Sequence, residues 1–421
     1  MADRHSIPYF TALLLSLAVF TGLVRFAMAP VTSLELRGDV LLFEIWGQSA
    51  REHGLLNVYT TPIYDEQYGR IALPNYLPPY LYVVWAASHV HHWFAPSELV
   101  GTPLASLIIK TPAILADVAL LLILAFIVKR RYGEQWALGV AALYAFIPFT
   151  GIDSVIWGQV DAVNGLFMVL CVWMLEKRRF ALATLFFTVA FSVKLQSVVL
   201  LPLLLYEIIR YGRLRDLWQS FGVGFATILA LFVPFLFTGR AREVFSVFTG
   251  SVGQFPSPSA NAYNFWWLFS GGHWTARSDT VHFIGVPLVL WGGLLFFAAV
   301  VFALWFRSRM RQDEGLWLTA AFLAFAFFML PTEMHERYLF PWFLLALPLL
   351  PLLRKMRWLF GALSVTFTWN LLVVYFILRV ERAETLGNFW GGSFVIALVN
   401  ISLFIATLVW YVQMARRKQI V

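Results

Sequence analysis

The feature that most constrains this chain is a succession of long apolar runs, separated by short clusters of Arg and Lys, from one end to the other. A helix that crosses a bilayer needs about 20 apolar residues, and inside lipid every backbone polar group must be satisfied within the structure. The runs therefore predict a bundle of membrane-spanning helices, an all-α fold. Composition agrees: 60% of the 421 residues are hydrophobic and 13% are charged, with mean hydropathy +0.74. A soluble domain of this length needs more polar surface to cover its core. The loops between runs leave no room for a sizeable soluble domain.

Net charge is +8, from 31 basic and 23 acidic residues. The basic residues cluster beside span ends, so membrane topology explains them. No basic stripe with interleaved aromatics is present, which excludes nucleic acid as a partner. A single cysteine, Cys171, excludes an intrachain disulfide framework and a multi-thiolate metal site. Tyr9–Pro30 is long enough to remain as a span and carries no convincing cleavage site.

The positive-inside rule threads the chain. Arg4, Lys129-Arg130-Arg131, Glu176–Arg179, Arg210–Arg215, Arg307–Arg311, Arg354–Arg357 and Arg416-Arg417-Lys418 read as cytoplasmic anchors. Residues 30–105, 238–280, 331–337 and 381–389 then face outward, and both termini are cytoplasmic at the cell membrane. Parity requires that Pro78–Trp93 not cross, and its prolines and short length fit an interfacial or re-entrant segment. The expectation is about twelve spans, divided into an N-terminal module 1–240 and C-terminal helices 241–421. Within the first outer loop, Leu36, Val40, Phe43, Gly47 and Ala50 recur at helical spacing. Asp39–Glu52 is accordingly expected as an amphipathic interfacial helix, capped by His53-Gly54.

Ionisable residues at span ends on one side of a membrane protein are candidates for function. On the outer side they are Asp39, Asp153 and Asp161 of IDSVIWGQVDA, and Glu333, His335, Glu336 and Arg337 of PTEMHERYLFP; Lys194 joins them from an apolar stretch. A lipid-phosphate sugar donor makes sense of this set. Its tail stays in the bilayer, its phosphate leaves as an anion that cations stabilise, and the acceptor hydroxyl needs a carboxylate base. Asp117 falls mid-span, where a structural pairing with Lys110 or another helix and a functional role both fit.

The segments LRGDVLLFEIW, NYLPPYLY, KTPAILADVALL, WGQVDA, KLQSVVLLP, SANAYNFWW and MHERYLFP stand in the order found in the GT-C superfamily of membrane glycosyltransferases. Over roughly 30–345 the chain resembles the dolichyl-phosphate-glucose-dependent glucosyltransferases and their polyprenyl-phosphate-sugar relatives. The resemblance implies an inverting hexosyltransferase that moves one sugar from a polyprenyl- or dolichyl-phosphate donor, glucosyl or mannosyl, to a glycan, lipid or protein acceptor. It makes Asp39 the base and places His335, Arg337 and Lys194 at the donor phosphate. Substrate contacts are expected from Glu44, Asn75, Tyr76, Gln159, Asp161, Glu336 and Trp266. The family's second acidic position in the first loop falls on Asn75, which has no proton to take up. No metal or other cofactor is expected.

Other functional classes fit less well. A flippase of lipid-linked sugar should show paired broken helices in two halves, and leaves the long first loop unexplained. A non-catalytic assembly subunit should tolerate substitution of Asp39 and Arg337. Asp39 near a helix start, Lys194 reaching toward lipid phosphates, and Trp266 in an interfacial belt are the plain structural alternatives.

Overall fold

The computed structural model describes residues 9–30, 38–65, 69–98, 100–271, 277–310, 312–377 and 383–417. Arg4, Leu36, Arg311 and Lys418 lie outside the described residues. Sixteen α-helices run through the described chain. Helix α1 (Phe10–Met28) is followed by α2 (Gly38–His53), a short antiparallel hairpin of β1 (Ile63–Asp65) and β2 (Gly69–Ile71), and α3 (Pro78–Phe94). The amphipathic helix expected over Asp39–Glu52 is α2, and its apolar face is buried against α3 and α4 (Pro103–Tyr132). Gly47 permits that contact, since a Cβ there would collide with the carbonyl of Val84. Pro103 sits in the first turn of α4, and the Thr102 hydroxyl caps the helix by accepting from the Ala105 N–H at 3.2 Å.

Beyond α4 the chain is broken where the sequence carries Pro and Gly. Helix α5 (Glu134–Phe146) stops before Pro148; α6 (Pro148–Gly151) and a π-helical turn, Ile152–Trp157, continue at an angle of 53°. Helices α7 (Asp161–Glu176) and α8 (Phe180–Val193) form a tight pair, and a 3-10 turn (Leu195–Leu200) leads into α9 (Leu201–Tyr211). Then come α10 (Leu214–Phe237), α11 (Ala241–Thr249), the two-residue strands β3 (His282–Phe283) and β4 (Val286–Pro287), α12 (Leu288–Arg309) and α13 (Asp313–Met329). A 3-10 turn (Glu336–Leu339), α14 (Phe340–Ala346), α15 (Arg354–Ile377) and α16 (Ala383–Arg417) complete the fold. Most of the outer loop expected at 381–389 is therefore helix.

Among the described residues six helices are long and apolar enough to cross a membrane, or seven if the bent α5–α6 segment is one span. That is fewer than the twelve expected. The difference lies in helices too short to cross by themselves, such as α7, α8 and α14. The chain is a multi-pass membrane protein: α10 leaves Trp218, Phe221, Phe225 and Ile228 exposed on one apolar surface, as lipid contact requires.

Asp117 finds a cation on another helix, α1. Arg25 Nη1 lies 3.0 Å from Asp117 Oδ2, Tyr144 donates to Oδ1 at 2.5 Å, and the Ser154 hydroxyl also donates to the carboxylate. Lys110 donates to the carbonyl of Ala29 at 3.0 Å. A charge in hydrocarbon persists only when paired and hydrogen-bonded, so this network clamps α1, α4, α5 and the π turn together. Two more ion-pair groups lie together at one end of the bundle. Arg131 pairs with Glu176, which also accepts from Trp317 at 2.9 Å; Glu207 accepts from Arg307 at 2.6 Å and from Arg178 at 2.9 Å.

Candidate active site

At the other end of the bundle four segments converge: the first turn of α2, the sequence Trp157–Asp161, the chain just past α8, and the turn 335–338. The approach of the first two depends on Gly158. It ends the π turn with φ +76°, and a Cβ there would strike Val40 Cγ2, next to Asp39. On either side of it, Trp157 Nε1 and Gln159 Nε2 both donate to Asp39 Oδ2, at 3.0 and 2.5 Å. Asp39 Oδ1 accepts no hydrogen bond among the described residues. Among the described residues, one carboxylate oxygen is thus held by two donors and the other by none.

Two residues on, Asp161 opens α7 and is fully buried. Both its oxygens accept from Lys194 Nζ at 2.7 Å, and Oδ1 also accepts from Gln196 at 3.0 Å. Lys194 lies where α8 gives way to extended backbone, with its ammonium 5.5 Å from the centre of the Tyr338 ring. Arg337 stands beside this pair. Its Nη1 donates to Glu336 Oε1 at 2.8 Å and its guanidinium lies 5.5 Å from the Trp157 ring centre. Its Nε, 4.0 Å from Asp161 Oδ2, makes no hydrogen bond among the described residues.

His335 packs edge-on against Phe255, with ring centres 4.6 Å apart. Burial first, and then the positive charges of Arg337 and Lys194, hold its imidazole well below the ordinary histidine range, so it is neutral at pH 7. Burial likewise raises Glu336, with Arg337 opposing the shift. Tyr76 faces the same field: burial pushes its hydroxyl up, and the charges that act on it most are those of Arg337, Asp39 and Asp161. Its place is set by Tyr59, whose hydroxyl donates to the Tyr76 carbonyl at 2.7 Å, and by ring contacts with Phe43 and Tyr80.

The structure thus brings together Asp39, Tyr76, Gln159, Asp161, Lys194, His335, Glu336 and Arg337. Asn75 is exposed next to Tyr76. Two of the expected contacts stand apart from this cluster. Glu44 faces the other side of α2, where it accepts from Gly101 N at 2.6 Å and from Ser106 Oγ at 3.1 Å; it ties α2 to α4. Trp266 is buried with its indole N–H on the carbonyl of Leu330, so its ring is core. Asp153 is buried in the π turn, its carboxylate accepting no hydrogen bond among the described residues. Trp157, Gln196 and Tyr338 belong to the site and were missed: a Trp near a span end reads as interfacial belt, and only the WGQVDA spacing around Gly158 hinted otherwise.

Fold and composition together define a polytopic helical membrane protein. The architecture matches the crystal structure of ArnT from Cupriavidus metallidurans bound to undecaprenyl phosphate, with TM-score 0.52 and 14% identity over 97% of this chain and 78% of that one. The same protein in its apo state aligns with TM-score 0.48 and 17% identity, over 96% of this chain and 76% of that one. No curated protein matches. The model of glycosyltransferase family 87 matches residues 92–332, more than half of the chain, and the chain belongs to that family.

Proposed function

We propose that this glycosyltransferase moves a single sugar from a polyprenyl-phosphate donor to an acceptor hydroxyl, with inversion, at the outer face of the membrane. The observation that carries the reading is the asymmetry of Asp39: among the described residues two donors hold Oδ2 and none holds Oδ1, and a cluster with two cations stands alongside. Asp39 Oδ1 takes the proton of the acceptor hydroxyl as its oxygen attacks the sugar carbon. The bond from that carbon to the phosphate oxygen breaks, and the electron pair leaves with the polyprenyl phosphate. Arg337, through its unbonded Nε, meets the growing negative charge, and Lys194 shares in it as its bond to Asp161 is exchanged. Neutral His335 contributes a hydrogen bond and no charge. One displacement inverts the carbon, so one base suffices.

The ArnT structure with undecaprenyl phosphate supports a polyprenyl phosphate as the carrier. In this reading both termini are cytoplasmic, and the ion pairs of Arg131, Arg178 and Arg307 mark the cytoplasmic end. The two sequence modules, 1–240 and 241–421, share the site, since Asp161 comes from one and Arg337 from the other. Purified protein incubated in detergent with a panel of polyprenyl-phosphate sugars should release polyprenyl phosphate with one of them. Donor hydrolysis or transfer that is absent from every sugar tested, in folded protein, would sink the reading. So would a product of retained configuration.

A further inference from the structure

Residue 333 is a glutamate with φ +63°, a left-handed conformation that costs a side chain and that glycine would adopt freely. What offsets the strain is its carboxylate. It accepts from Gly253 N at 2.9 and 3.0 Å and from Phe255 N at 3.1 Å, while its own N–H donates to the carbonyl of Ser257 at 3.1 Å. These bonds reach across 78–80 positions in sequence to the exposed turn that follows α11. Just beyond, Ala260 and Asn261 bridge to His335 and Ala262 N donates to Met334 O at 3.3 Å. The turn is therefore pinned at Glu333, and its Phe255 ring lies against the imidazole of His335.

We propose that Glu333 is a positioning residue for the donor site, latching the turn 251–255 so that Phe255 closes over His335 next to Arg337. The assignment rests on the reading that 335–337 meets the donor phosphate. A carboxylate accepting backbone N–H groups makes charge-assisted bonds, and these orient a residue that the turn by itself would leave facing solvent. The latch keeps the surroundings of His335 and Arg337 dry, which strengthens their bonds to an anion. Glu333 itself touches no donor.

The test uses the full chain in detergent with undecaprenyl phosphate as probe, measuring its Kd and the hydrogen exchange of the Gly253 and Phe255 amides. Glu333→Gly removes the carboxylate and relieves the backbone, so a purely conformational role predicts unchanged or better thermal stability and an unchanged Kd. The latch predicts fast exchange at both amides and a Kd raised about tenfold, the equivalent of one lost charge-assisted contact, with the fold intact. Glu333→Gln, whose amide oxygen still accepts an N–H, should fall between, and carries the test if the glycine variant does not fold. A parental Kd despite fast exchange, or exchange that stays slow, overturns the assignment. A parent chain that does not bind undecaprenyl phosphate overturns the donor reading itself, and this assignment with it.

Discussion

In the proposed mechanism Asp39 takes a proton from the acceptor hydroxyl, which needs a carboxylate held in place with one oxygen within reach; Trp157 and Gln159 both hold Oδ2, and no described residue donates to Oδ1. Asn has nearly the same shape and caps a helix as well as Asp, so Asp39→Asn separates chemistry from architecture. Turnover should fall on the order of 10²-fold or more, with undecaprenyl phosphate bound as before; near-parental turnover would remove Asp39 from the mechanism. Arg337→Ala should weaken that binding by about tenfold or more, as loss of hydrogen bonds to a charged group implies, and Arg337→Lys should recover only part because the guanidinium fork is gone. Equal binding by both variants would exclude Arg337 from the phosphate site. The buried pair of Asp161 and Lys194 makes a different prediction. Asp161→Asn leaves an unpaired ammonium and should cost about 3–5 kcal/mol of stability. Adding Lys194→Met should restore much of that loss while leaving the enzyme inactive, readable as thermal stability against turnover in a double-mutant cycle.

At the scale of elements, the site depends on the π turn and on Gly158. Gly158→Ala puts a Cβ into Val40 at a left-handed backbone position, pushing the first turn of α2 away from Trp157 and Gln159. Activity should drop more than thermal stability does, and a second change, Val40→Ala, should return part of the activity. If the double variant is no better than the single one, the close approach is not what Gly158 provides. The amphipathic helix was legible as α2 because its periodicity was intact. The direction of each side chain on it was not: Glu44 is one turn and a half from Asp39, enough to turn it to Gly101 and Ser106 on the far face. The break at Pro148 has a local cause, since proline disfavours helix in the residue before it; the π turn that it leads into has none, because such a turn is fixed by packing and not by composition.

At the scale of the whole molecule, the paired charges sort by end. Arg131 meets Glu176 and Arg307 meets Glu207 at one end, while Lys194 and Arg337 meet Asp161 at the other. Cysteines introduced at the exposed Gln135 and Gln254 should label from opposite sides, Gln254 from outside, over a low background because the native Cys171 is buried. Labelling of both from one side would undo the topology and the outer placement of the site. The sequence by itself determined a helical membrane protein, because hydropathy and the placement of Arg and Lys act locally, span by span. It also marked most of the carboxylates and cations that gather around Asp161, since a charge beside an apolar run is costly wherever the run goes. Only the tertiary structure decided which charges meet. Arg25 on α1 paired with Asp117 on α4, and Trp157 joined Asp39 while Trp266 became core. Partners in a bundle come from helices far apart in the chain, and no periodicity within one helix records the face its neighbour will present.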